Sequence, residues 1–293
     1  MKILTFADLH LRGTVPSCVN HSVTEWVEIQ KEALDKVADI AIENQVDAVY
    51  LGGDIFHSES SATFEVINLF FEFVRRLHNA CIRVYVIAGN HDLPGHSSSN
   101  IGKSAVGIVF NNPLIYDMSS SSSYVKGCNF DIDDYGKSEF IFKHVLCMPE
   151  DKKPDFIECE TPQTLLDKYP NAKIIFTGDY HRNFVYKKNG RLVINSGCLT
   201  KQASDFEDYE TGVYLTDLDT FEVEWCPIDI PLEFVKNGKD KDKKSDKSID
   251  DFINGINRSS VTLDFVGELR KESEKLEDNI KNKINEWIEE IGQ

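Results

Sequence analysis

Two periodicities alternate along the N-terminal part of the chain, and this alternation restricts the fold more than any other feature. KILTFAD, DAVYLGGD and RVYVIAGNHD are short, apolar and rich in β-branched residues. Between them lie TEWVEIQKEALDKVADIAIENQ and TFEVINLFFEFVRRLHNA. In the first of these, Trp26, Ile29, Leu34, Val37, Ile40 and Ala41 fall near helical spacing. Strand–helix–strand–helix–strand predicts a parallel sheet with helices packed outside it.

Beyond Leu93 the pattern changes. PGHSSSNIGKS reads as a loop, and the serine run Ser119–Ser123 as a flexible turn without chemistry of its own. SEFIFKHVLCM, AKIIFTGD, RLVINSG, TGVYLTDLD and FEVEWCPI then read as successive strands separated by turns. Two blocks of strands in one domain predict an α/β fold of two packed sheets flanked by helices. After Pro231 the composition shifts. Lys236–Ser248 is charged with no apolar residue, a solvated linker rather than a nucleic-acid contact. Helix, strand and helix signals follow, and Leu269, Leu276, Ile280, Ile284, Trp287 and Ile291 share one face of the last helix. The expected organisation is a main domain over 1–230 and a small α/β unit over 231–293.

A net charge of −17 on 293 residues argues against a polybasic membrane binder and against coating nucleic acid by charge alone. It leaves phosphodiester chemistry open, because bound divalent cations reverse the sign of a carboxylate-rich pocket. The seven dispersed cysteines lack a C-x-x-C pair and suit buried thiols in a reducing compartment better than a disulfide framework. No stretch approaches the roughly 18 apolar residues of a membrane span. The apolar start is broken at Asp8 and His10, too early for a signal peptide. A soluble, cytoplasmic protein without membrane contact is the expectation.

Ligand-type residues sit where the strands end. FADLH carries Asp8 and His10, LGGDIFH carries Asp54 and His57, and AGNHD carries Asn90, His91 and Asp92; FIFKH ends in His144 and FTGDYH in Asp179 and His181. In parallel α/β sheets, sites form outside the carboxyl ends of strands, so five strands are positioned to aim these side chains into one crevice. Oxygen and imidazole donors without thiolate suit Mn²⁺, Fe²⁺ or Zn²⁺ rather than a structural cysteine site. Glycines 52, 53, 89 and 178 are expected to let the backbone turn sharply before each ligand. Read alone, each motif is weak: G-N-H-D also makes a plain turn, and a strand-end histidine such as His144 is commonly structural. Five in order, each behind an apolar strand, make a strong pattern.

The order D-x-H, G-G-D, G-N-H-D, H, G-x-x-H resembles the calcineurin-like metallophosphoesterase superfamily. Within it, GGDIFHS and GDYHRN…INSGCLTKQASDFEDYETGVYLTDLD are similar to the Mre11/SbcD branch, which includes phage recombination nuclease subunits. The resemblance covers Met1 to about Ile228 and, more loosely, the C-terminal unit, which is similar to that branch's capping domain. It implies a metallophosphoesterase α/β/β/α sandwich and a two-metal DNA exo- and endonuclease. Asp8, His10 and His181 would hold one divalent ion, Asn90, His144 and Asp179 the other, and Asp54 would bridge. His91 would act as general acid or transition-state contact, steered by Asp92. His57 would help position DNA, or equally cap the following helix.

Many relatives carry histidine where this chain has Asp179. A carboxylate there adds charge and a harder donor, which is expected to favour Mn²⁺, or Mg²⁺, over softer ions. The resemblance further implies a homodimer and an SMC-like ATPase partner, with the Leu276–Ile291 stripe either docking that partner or packing within its own unit. Arg12, Lys103, Arg182 and Lys201 lie in or near the motif loops, as phosphate contacts or as ordinary surface charges. Two rivals stand beside the nuclease. A metallophosphoesterase for small phosphodiesters or phosphoprotein is disfavoured by GGDIFHS and GNHD, where the protein-phosphatase branch has G-D-x-V-D-R-G and G-N-H-E. A non-catalytic scaffold is disfavoured by a suitable residue at every ligand position.

Overall fold

The computed structural model describes residues 1–58, 62–94, 98–118, 123–125, 128–131, 138–153, 158–203 and 209–235. Of the small unit expected over 231–293, everything from residue 236 onward lies outside these. Pro231–Val235 runs against the N-terminal loop: Val19 bridges Phe234, and Val235 donates its N–H to the Cys18 carbonyl at 2.8 Å.

In chain order the elements are β1 (Lys2–Phe6), α1 (Val23–Glu43), β2 (Ala48–Leu51), α2 (Phe64–Asn79), β3 (Arg83–Val86), α3 (Ala105–Phe110) and β4 (Ile115–Asp117). There follow β5 (Ser123–Val125), β6 (Cys128–Asp131), β7 (Phe140–His144), α4 (Pro162–Lys168) and β8 (Ile174–Gly178). The last four are β9 (Phe184–Lys188), β10 (Arg191–Asn195), β11 (Gly212–Asp217) and β12 (Val223–Pro227). One sheet has the order β12-β11-β1-β2-β3-β4 and the other β5-β6-β7-β8-β10-β9.

As expected, β1, β2 and β3 are parallel, and β4, for which the sequence carries no signal, extends them in the same direction. The later runs do not all belong to the second sheet. β11 pairs antiparallel with β1, and β12 with β11, so the last two strands return to extend the first sheet. Ser98–Lys103, expected as loop, is a 3₁₀ helix, and Ser123 of the serine run starts β5. The remaining serines of that run lie outside the described residues.

Helix starts follow local chemistry. Ser22 caps α1 in a capping box with Glu25, whose carboxylate accepts from the Ser22 N–H at 2.7 Å. Thr63 caps α2, so His57 does not cap it.

Apolar faces sort the layers. Leu4, Val49, Val84 and Leu215 face the helices through Val37, Ala41, Phe70 and Val74. Ile3, Tyr50, Phe142, Phe176 and Ile194 fill the space between the sheets, and Ile141, Ile175 and Val193 meet Leu165 and Leu166 of α4. The result is an α/β/β/α sandwich. A column of stacked rings crosses it: Tyr116–Tyr85 at 4.9 Å, Tyr85–Tyr50 at 4.7 Å, Tyr50–Phe142 at 4.4 Å and Phe142–Phe176 at 4.5 Å. Such pairs add about 0.5–1.5 kcal/mol each beyond area burial. They fix the two sheets side by side just before β2, β7 and β8 deliver Asp54, His144 and Asp179.

Candidate metal centre

Each expected ligand follows the carboxyl end of a parallel strand or closes it. Asp8 and His10 follow β1, Asp54 follows β2, Asn90 follows β3, His144 is the last residue of β7, and Asp179 and His181 follow β8. The turns are made by the ligands themselves. Asp8 (φ 53°), His10 (46°), Asp54 (53°) and Asp179 (80°) all adopt the left-handed conformation. Non-glycine residues held there are uncommon and gather at functional sites.

Of the four glycines expected to make the turns, only Gly53 (φ 96°) has this conformation. Gly89 serves close approach instead. A Cβ there would lie 2.0 Å from Asp54 Oδ1, so the β2 and β3 loops touch only because that atom is missing.

Among the described residues, three side-chain groups bring ligand atoms within 4.8 Å of one another: Asp8–His10–His181, Asp8–Asp54–His144 and His10–His57–His91. The first matches one expected ion site, and the second joins it to Asp54 and His144. His10 Nε2 and His181 Nε2 are 3.0 Å apart. His144 Nε2 lies 2.8 Å from Asn90 Oδ1, 3.3 Å from Asp54 Oδ2 and 3.8 Å from Asp179 Oδ1. His10 Nε2 is 3.6 Å from the same Asp54 Oδ2, so one carboxylate oxygen faces a histidine of each set. The expected seven therefore converge.

Their surroundings fit divalent cations. Asp8 and Asp54 have no exposed surface, and His10 Nδ1 is buried without a hydrogen-bond partner. His144 Nδ1–H donates to the Gly52 carbonyl at 2.7 Å, which orients Nε2 toward the carboxylates, as a carbonyl behind a ligating imidazole does. Asn90 Oδ1, 2.8 Å from His144 Nε2, adds a neutral oxygen donor beside the carboxylates. Without a cation, the cluster holds protons. Burial raises the Asp8 carboxyl to about 8. Burial also works against the His144 imidazolium, but the Asp54 hydrogen bond and the Asp8 charge outweigh it and raise His144 to about 10. Desolvation lowers His10 and His181.

His91 is exposed at the rim, its ring centroid 4.9 Å from that of His10. Its expected steering by Asp92 is not what the structure contains. His91 Nδ1–H donates to the His57 backbone carbonyl at 2.8 Å. The oxygens of buried Asp92 accept instead from the N–H groups of Ile55 (3.2 Å), Phe56 (3.1 Å) and Gly89 (3.0 Å), tying the β2 and β3 loops together. Asp54 Oδ1 adds the His91 N–H at 2.9 Å. His57 stands beside His91, rings 5.9 Å apart, with its pKa lowered to about 4 by desolvation and then by Arg12. Of the expected cations, Arg12 thus neighbours this rim, whereas Lys103 donates to Asn100 at 3.1 Å on the surface.

Two residues outside the expected set support the ligand-bearing loops after β8 and β1. Buried Asn195 closes β10 and donates through Nδ2 to the Tyr180 and Arg182 carbonyls, at 2.5 and 2.9 Å. Gln202 donates to the Leu9 and His10 carbonyls at 3.2 and 3.0 Å. INSG and TKQA carry no mark of this in the sequence.

The sequence profile of the calcineurin-like phosphoesterases matches residues 1–183, more than half of the chain. The chain belongs to the calcineurin-like phosphoesterase family. As a calcineurin-like phosphoesterase it is a metal-dependent hydrolase, with Mre11 homologues among its relatives. The DNA double-strand break repair protein Mre11 of Methanocaldococcus jannaschii is 23% identical over 268 residues, which cover 83% of this chain and 71% of that protein. The Mre11 protein of Nanoarchaeum equitans is 36% identical over 90 residues, 31% of this chain and 23% of the relative. Similar solved structures include TT1561 of Thermus thermophilus (14% identity, 77% of this chain, 98% of that one, TM-score 0.49) and an archaeal phosphodiesterase (16%, 78%, 100%, 0.44). Among the described residues no helix is long and apolar enough to cross a membrane.

Proposed function

We propose that this phosphoesterase is a DNA nuclease subunit that hydrolyses phosphodiester bonds at a site for two divalent ions, Mn²⁺ by preference and Mg²⁺ as the alternative. One observation carries the reading: five strand ends from two sheets bring Asp8, His10, Asp54, Asn90, His144, Asp179 and His181 together, with His91 at the open rim. The Mre11 relatives, whose name places them in DNA double-strand break repair, point it toward DNA.

Asp8, His10 and His181 would hold one ion, Asn90, His144 and Asp179 the other, with Asp54 shared. Such ions supply Lewis-acid charge and a water of lowered pKa. The chain's own residues do the rest. The His57 carbonyl fixes His91 through Nδ1, leaving Nε2 to face the phosphate and to carry a proton to the leaving oxygen. The left-handed turns and the Asp92 tie hold the loops in place before substrate arrives, so little reorganisation remains for the reaction.

The carboxylate of Asp179 favours hard ions at the second position, and zinc as the best activating ion in a metal titration would contradict that. As partners we propose a second copy of the chain and an SMC-like ATPase, which would add basic surface to a chain of net charge −17; the cytoplasm is the matching compartment. The function is tested by incubating the protein with Mn²⁺ and end-labelled single- and double-stranded DNA, beside bis-p-nitrophenyl phosphate and a phosphopeptide. DNA cleavage that disappears in Asp54→Ala is expected. Turnover of the phosphopeptide or the small diester alone would move the assignment to the broader phosphoesterases, and no turnover at all to a scaffold.

A further inference from the structure

Successive residues of the β8–β9 loop serve different places. Asp179 and His181 enter the metal centre, while Tyr180 and Arg182 line a separate groove of about 630 Å³ with Phe184, Tyr209, Lys152 and Pro149. That volume is in the range of small-ligand sites. The groove is built in advance. Asn195 holds the loop through the Tyr180 and Arg182 carbonyls, and Tyr209 Oη accepts the Asn183 N–H at 2.8 Å. Tyr180 and Phe184 set their rings 6.2 Å apart at 49°, and the Arg182 guanidinium lies 5.8 Å from the Tyr209 ring centroid. Lys152, 3.6 Å from Asp151, and Arg182 are the two cations of the groove among the described residues.

Aromatic faces beside a guanidinium are the chemistry by which proteins hold single-stranded nucleic acid without reading its sequence: bases stack and the phosphate meets the cation. A phosphate ester without a ring offers nothing to fill the aromatic part. Tyr180 and Arg182 flank His181 in the chain, so residues lining the groove stand one position from a residue of the metal centre.

We infer that this groove seats the nucleoside next to the scissile phosphate, its base against Tyr180 and Phe184 and the following phosphate on Arg182. The inference rests on the nuclease reading above and narrows it to strands whose base beside the cut is unstacked. Because ring faces rather than hydrogen-bonding edges do the holding, cleavage is tolerant of base identity.

The test uses the full chain with Mn²⁺ and three substrates: a single-stranded oligonucleotide, the same oligonucleotide with abasic residues at the two positions nearest each end, and bis-p-nitrophenyl phosphate. The native protein is expected to favour the base-bearing strand over the abasic one in kcat/KM by roughly tenfold, the scale of base–aromatic stacking. In Phe184→Leu, which keeps apolar bulk and removes the ring, that preference falls toward unity, and Arg182→Gln raises KM for both strands. Each variant serves as its own control, so a general loss of folding does not mimic a change in the ratio. Equal cleavage of the two strands by the native protein, or an unchanged ratio in Phe184→Leu, overturns the groove while the nuclease stands. Turnover of the small diester with neither strand cut overturns the nuclease reading and the groove with it.

Discussion

At the residue scale, the centre is a place where charge is buried before any cation arrives. Asp8 and Asp54 are completely inaccessible; burial opposes ionisation of Asp54, but the His144 hydrogen bond holds it ionised, while protons stay on Asp8 and His144. Asp8 holds its proton to about pH 8 when folded but to about 3.8 when unfolded, so the folded state binds more protons across that interval and loses stability as pH rises through it. His144, raised to about 10, acts in the same direction: its contribution is complete below 6.5 and is lost as pH climbs toward 10. The lowered histidines His10, His57 and His181 act oppositely, but only as pH falls below 6.5. In chelator the melting temperature should therefore fall between pH 7 and 9, and Mn²⁺ should restore more of it at pH 9 than at pH 7. A melting temperature that is flat or rising over that range contradicts the protonated cluster. The orientation of His91 yields a second prediction. His91→Ala should lower turnover by about 10²–10⁴ while two ions stay bound. His57→Ala keeps the carbonyl that fixes His91, so turnover of a small diester should change only a few-fold. Equal losses in the two variants would show that the His57 ring, not its backbone, is what matters.

At the scale of elements, the site depends on how closely strand-end loops approach. A Cβ at residue 89 would overlap Asp54 Oδ1 and N, at 2.0 and 2.3 Å. Gly89→Ala is thus expected to abolish metal binding by displacing Asp54 while far-ultraviolet circular dichroism still reports the sandwich. Normal metal content would disprove the close approach. Much of this level was legible in the sequence, since an apolar β-branched run followed by Asp or His marks both a strand and its functional end. Other parts left no such mark. α3 and α4 are too short to show a helical period, and β9, with its alternating burial and five residues, lies between two stronger strands. The return of β11 and β12 to the first sheet pairs segments far apart in the chain, which no local pattern encodes. The sequence points to Gly53 and Gly178 for the turns at Asp54 and Asp179 and gives no sign of the one at Asp8, because aspartate enters the left-handed conformation without an unusual local sequence. Chain adjacency likewise suggests Asp92 as the partner of His91, whereas its oxygens serve three backbone N–H groups.

At the scale of the whole molecule, an acidic chain is proposed to act on a polyanion, which is reasonable only if cations and partners carry the attraction. Phe64, 84% exposed at the first turn of α2, is the most exposed large apolar side chain among the described residues. If the chain pairs with a second copy there, Phe64→Glu should convert a dimer to a monomer in light scattering, with metal content unchanged. A dimer that survives the substitution places the interface elsewhere. The central claim is that ligands from five strand ends jointly hold two ions, and its most direct test is the number of Mn²⁺ ions bound per chain after equilibrium dialysis, in the native protein and in Asp54→Ala. Two ions in the native chain, magnetically coupled in electron paramagnetic resonance, and loss of that coupling in the variant are predicted. A single ion, or two that remain coupled without Asp54, would contradict it.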